Sequence, residues 1–258
     1  MTPSHDDLSP RGLSTRPVEG GHNGRAAATK AWGAAVVGVI VAVIAMLAWS
    51  WLVRTVIIPP WLQAVGSYLV VWVPLGVAVV VAARSAARSG GTAVVRRPYV
   101  RPIDLLWGVG VGLMLRGVAA GIEVVLLGRM PGGGLQLEID PAMAWFTLLV
   151  APVLLGPVIE ELFFRGLALG SLRDIGQADA SGTRRTTATV SAVLITSLLF
   201  AALHTLESPS PLIALVTALS TFAFGLAAAL LVVFTGRIGG AVIAHIVYNG
   251  SLILLLLG

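Results

Sequence analysis

Seven apolar runs, each close to the length of a membrane crossing, succeed one another near 33 to 53, 62 to 83, 103 to 127, 143 to 170, 187 to 206, 211 to 234 and 238 to 257. A hydrocarbon layer about 30 Å thick needs about 20 apolar residues per helix, and it leaves no backbone polar group unsatisfied. The pattern predicts an all-α, polytopic transmembrane bundle of about seven spans. Composition agrees, with 57% of residues hydrophobic, 11% charged and a mean hydropathy of +0.92; a soluble domain carries about a quarter charged residues. The expected organisation is a disordered cytoplasmic tail at 1–31, N-terminal transmembrane helices at 32–141 and a second transmembrane unit at 142–258. The first apolar run is a full membrane length with no small-residue cleavage site, so it reads as a retained span and not a signal peptide.

Trp32, Trp49, Trp51, Trp61, Trp107 and Trp145 lie near proposed span ends, where an amphipathic ring favours the headgroup layer. The net charge of +5 does not point to nucleic acid, because the basic residues sit in short loops and form no stripe or arm. Arg11, Arg16, Arg25 and Lys30, then Arg84, Arg88, Arg96, Arg97 and Arg101, then Arg173, Arg184 and Arg185, then Arg237 fall on alternate sides of the spans. That side reads as the cytoplasm, with the N-terminus inside and the C-terminus outside. The opposite loops carry Arg54, Arg129, Glu138, Asp140 and Glu207, and the glycine run 132–134 reads as an ordinary loop. Cysteine is absent, which excludes disulfides and a thiolate nucleophile.

Ionisable residues inside spans are costly and usually face a bundle interior or a wet cavity. Here they are Arg116 and Glu123 in the third span, Glu160, Glu161 and Arg165 in the fourth, His204 in the fifth and His245 in the seventh. His5 and His22 fall in the tail, where a solvated histidine needs no role. Glu161 precedes Arg165 by four residues, the order and spacing of a same-face ion pair. Glu160 is rotated about 100° away, so the same helix cannot offer it that contact. Structural charge networks are common inside proteins, and both acids read equally well as bundle-holding partners of arginines. Phe200 lies one turn before His204, and His245 one turn before Asn249. Two imidazoles, two carboxylates and an amide on three helices form a candidate site. Counting about 1.5 Å per residue from the basic loops places it toward the cytoplasmic side or near the middle of the membrane.

Hydrolysis of an amide needs an activated water and a donor for the developing oxyanion. Glu160 can act as base, one histidine can hold the water, and the other histidine with Asn249 can serve the oxyanion. Alternatively Glu160, His204 and His245 ligate a zinc ion with water in the fourth position. The signatures of other protease chemistries are missing: there is no H-E-x-x-H, no G-x-S-x-G and no mid-span aspartate pair, Asp104 and Asp140 lying at span ends.

The ordered set Glu160-Glu161-x-x-x-Arg165, Phe200-x-x-x-His204 and His245-x-x-x-Asn249 resembles the CPBP intramembrane proteases. That family, also called ABI, includes the type II CAAX prenyl proteases. The resemblance spans roughly 142 to 250. It implies an intramembrane endopeptidase in which Glu160 and His204 activate water and His245 with Asn249 stabilises the oxyanion. Glu161, Arg165 and Phe200 would support them. The family is often labelled as metalloproteases, while a metal-independent glutamate mechanism also fits its residues; the reading favoured here needs no obligatory metal, with zinc on Glu160, His204 and His245 the alternative. The expected partners are the lipid bilayer and a membrane-associated peptide or protein substrate. Abundant Ala, Val, Gly and Arg with a single lysine suggests a bacterial plasma membrane, where prenylated substrates are not expected.

Two other functions would use the same residues. A proton-coupled transporter would run protons along buried acids and histidines, Arg116 and Glu123 among them. The plainer reading of those two is a polar seam, with Arg116 paired to an acid elsewhere and Glu123 reaching for the interface. A catalytically silent scaffold would keep its partner with the site emptied. The Gly108 to Gly112 stretch, G-V-G-V-G, permits close helix contact, internal or between copies.

Overall fold

A computed structural model of the chain describes residues 19–88, 99–129, 143–178 and 180–257. His5, Arg96, Arg97, Glu138, Asp140 and the glycine run 132–134 lie outside the described residues. Seven helical segments follow in order: α1 Glu19–Thr55, α2 Pro60–Arg88, α3 Pro102–Leu127, α4 Phe146–Gln177, α5 Gly182–Thr205, α6 Pro211–Thr235 and α7 Gly239–Leu257. The first six are long and apolar enough to cross a membrane. The seventh, at 19 residues, is shorter and equally apolar, and about 1.5 Å per residue makes it close to one hydrocarbon thickness. The described residues contain no strand.

Helices and apolar runs coincide within a few residues except at two ends. Helix α1 begins at Glu19, inside the segment expected to be a tail, and α4 continues past 170 to Gln177. The two extensions pack on each other: α1 contacts the Leu169–Gln177 end of α4, and Ala28, Ala31 and Ala35 are buried. Outward-facing positions are large and apolar, among them Ile44, Trp51, Leu106, Val125, Phe234 and Leu254. Trp61, Trp107 and Trp145 are also exposed. Such a surface suits lipid as solvent.

Without a hydrophobic drive between helices in lipid, close packing carries association. Helices α3 and α7 show how. A Cβ on Gly112 would stand 2.6 Å from the Ala244 carbonyl oxygen, and one on Gly108 2.6 Å from the Ile243 side chain. Gly110 has open space around it. The glycine stretch therefore serves internal packing, setting α7 directly against α3.

Two buried ion pairs secure the same helices. Arg237, in the turn before α7, forks onto Asp104 at the start of α3 at 2.5 and 3.0 Å. Asp104 is fully buried and also accepts the Arg101 backbone N–H, capping α3. Arg116 and Glu123 bind one another at 2.6 Å, with the Arg116 guanidinium 5.3 Å from the Tyr248 ring centre on α7. The expectation of a separate acid for Arg116 is corrected: seven residues is two helical turns, which returns Glu123 to the same face within reach of the long arginine.

Candidate active site

Helix α4 departs from regular α geometry on both sides of Glu160 and Glu161. Phe146–Leu155 and Leu162–Ala168 are π-helical, flanking the regular turn Gly156–Glu161. Wide turns of this kind are rare and frequently lie at functional sites. Proline explains part of the first. The Gly156 N–H reaches back five residues to the Ala151 carbonyl, so the next bond in that register would run from residue 157 to Pro152. Pro157 has no N–H to give. The Asn249 side-chain amide of α7 takes up the Pro152 carbonyl instead, at 2.7 Å.

The regular turn turns its two acids in different directions, as the 100° rotation requires. Glu161 points into the bundle and is fully buried, accepting from Arg165 Nη1 at 2.9 Å and meeting His245 Nδ1 at 2.9 Å. Arg165 also donates to the Gly225 carbonyl at 3.3 Å. Its guanidinium carbon lies 4.6 Å from the Phe200 ring centre and 5.8 Å from those of Phe164 and Phe224. A buried cation is thus matched by one carboxylate, one carbonyl and three aromatic faces.

Glu160 faces a cavity of about 220 Å³ whose walls include Tyr68, Trp72, Phe164, Leu203, His204 and Glu207. His204 Nδ1 lies 2.8 Å from the Phe200 carbonyl, which can only accept, so this nitrogen carries the proton and Nε2 is turned toward the cavity. His204 Nε2 is 3.7 Å from Glu160 Oε2, and His245 Nε2 is 4.0 Å from the same oxygen. Both separations exceed a hydrogen bond and are short enough for one small group to bridge. Glu160 Oε2 is buried with no protein hydrogen-bond partner among the described residues.

The structure thus brings Glu160, Glu161, Arg165, Phe200, His204 and His245 into one cluster, with Asn249 one turn along α7 from His245 and bonded to the Pro152 carbonyl. His204 occupies the last turn of α5, and Glu207 in the α5–α6 turn lines the cavity. Glu160 lies about half-way along α4, and His245 lies in the second turn of α7. Sequence reasoning assigned nothing to α6, yet Phe224 and Gly225 from that helix complete the pocket around Arg165 and His245. A phenylalanine in an apolar run carries no signal; Gly225, in close contact with Ser197 of α5, was the one available hint. Tyr68, Trp72 and Glu207 were likewise passed over.

Residues 142–251 match the family model described as type II CAAX prenyl endopeptidase, Rce1-like. This part of the chain is similar to the CAAX proteases. The matched segment takes in α4 to α6 and α7 as far as residue 251, and it contains all seven of these residues; α1 to α3 lie outside it. No curated protein and no solved structure matches the chain. The six long apolar helices and the match to a membrane-protease family mark an integral membrane protein whose residues 142–251 are similar to CAAX-protease-type endopeptidases.

Proposed function

We propose that the protein hydrolyses a peptide bond of a membrane-associated protein or peptide, using a water held by Glu160 and His204. The observation that carries this reading is the unpartnered Glu160 Oε2, 3.7 Å from the cavity-facing nitrogen of His204. A water between two acceptors can donate one hydrogen to each, and the carboxylate then takes the proton as the oxygen attacks the carbonyl. His245, held at Nδ1 by Glu161, serves the oxyanion together with Asn249. An amide nitrogen has two N–H groups, so Asn249 keeps one after serving Pro152. The arrangement is held by buried, paired groups and need not reorganise as charge develops.

The same donor set suits a zinc ion in kind. Both cavity-facing nitrogens are free of protons when each Nδ1 holds its hydrogen bond, and Glu161 and the Phe200 carbonyl would orient the rings as outer-shell partners. Zinc there would lower the pKa of a bound water and polarise the scissile carbonyl. The observed 3.7 and 4.0 Å separations exceed the roughly 3.3 Å between neighbouring ligands of a tetrahedral zinc with bonds of about 2.0 Å. No group of three His, Asp or Glu among the described residues is placed to hold a metal ion. The glutamate mechanism is the simpler reading of these distances.

Purified protein in lipid, offered a library of membrane peptides with and without a strong chelator, tests the proposal. Wild type should cut a subset, His204→Ala and Asn249→Ala should lose at least about a hundredfold in rate, and the chelator should leave wild type unaffected. Loss of cleavage on chelation, restored by zinc, would replace the glutamate mechanism with the metal one. Cleavage by both variants at the wild-type rate would remove the assignment of these residues.

A further inference from the structure

The catalytic cavity carries one charged group that the mechanism does not use. Glu207 stands one turn beyond His204, and with Ser67 it lines both this cavity and an outer one of about 500 Å³ beside the α1–α2 turn. Glu207 is therefore the wall shared by the site and its approach. Its hydrogen-bond partner among the described residues is the Ser50 hydroxyl of α1, a neutral group, and Arg54 lines the outer cavity with it. None of the residues lining the catalytic cavity is lysine or arginine. Glu160 and Glu207 are thus the two acids of this cavity, the first part-buried and the second exposed at its mouth, and together they give it a negative potential.

We propose that Glu207 is a specificity-determining residue that reads a positive charge on the substrate, a lysine or arginine side chain or a free α-amine. The inference rests on the protease reading and adds to it the chemical class of substrate. A helical turn is about 5.4 Å and an extended peptide advances about 3.3 Å per residue, so the charge lies within about two residues of the scissile bond. Stacked Tyr68 and Trp72, 4.8 Å between ring centres on the same cavity wall, offer their faces to the aliphatic stem or the cation. An acidic residue at that substrate position would face Glu207 directly, and this like-charge juxtaposition is the other half of the discrimination.

The test compares kcat/KM for peptides that differ only by Lys, Gln or Glu at each position flanking the cut bond, with the protein in neutral lipid vesicles. Wild type should prefer Lys to Glu by about tenfold or more at one position within two residues of the bond, less so at high salt. Glu207→Gln should bring that ratio close to one, Glu207→Lys should invert it, and Glu207→Asp, which keeps the charge, should retain it. Each comparison is a ratio within one preparation, so a partly unfolded variant does not distort it. Wild type that cuts these peptides without regard to charge, or Glu207→Gln that keeps the preference, overturns the inference while leaving the protease reading intact. Wild type that cuts none of them removes both.

Discussion

Arg165 is the residue on which the others lean. Its guanidinium neutralises Glu161, which in turn holds His245, and its face is covered by Phe200, the ring that also touches His204 at 4.3 Å between centres. Replacing Arg165 with methionine would fill the volume but leave Glu161 buried without its cation. Breaking a buried pair from one side costs about 3–5 kcal/mol. The thermal midpoint of Arg165→Met in detergent should fall well below that of wild type, and an unchanged midpoint would show that Glu161 is not held as described. Of these contacts the Glu161–Arg165 pair was legible in the sequence, because a spacing of four on one helix is a local matter. The link from Glu161 to His245 joins residues 84 positions apart. It follows from helix packing, and a motif shows only that both groups are present.

At the scale of elements, the site is a question of where α7 lies against α3 and α4. The glycines of α3 let α7 approach, the Asp104–Arg237 fork anchors the turn that starts α7, and Asn249 ties its middle to the carbonyl that Pro157 leaves open. Gly112→Leu should push α7 outward, since even a Cβ there meets backbone at 2.6 Å, while Gly110→Leu enters open space. Peptide cleavage should drop sharply in the first and remain near wild type in the second; equal effects of both would show that α3 does not set the position of α7. Helix positions were readable from hydropathy alone because a membrane demands long apolar runs. The π-helical turns of α4 were not, since Pro152 and Pro157 announce a disturbed helix without saying which hydrogen bonds replace the lost ones. The stretch from Glu19 to Lys30 escaped because its polar composition resembles a tail, and only contact with the far end of α4 accounts for its helix.

For the whole molecule, the family match covers residues 142–251, which hold the seven motif residues, while α1 and α2 close the cavity from outside it through Met46, Tyr68 and Trp72. The Arg116–Glu123 pair, which a transporter would need as a free relay, is closed on itself against Tyr248 and so braces α3 on α7. What remains open to chemistry is the Glu160 carboxylate, and the central claim of the account is that this group takes the proton from water. Single-turnover cleavage by Glu160→Gln tests it most directly, because the amide keeps the shape and removes the base. The account predicts a rate at least about a hundredfold below wild type with an unshifted thermal midpoint. Cleavage at the wild-type rate by the folded variant would contradict it.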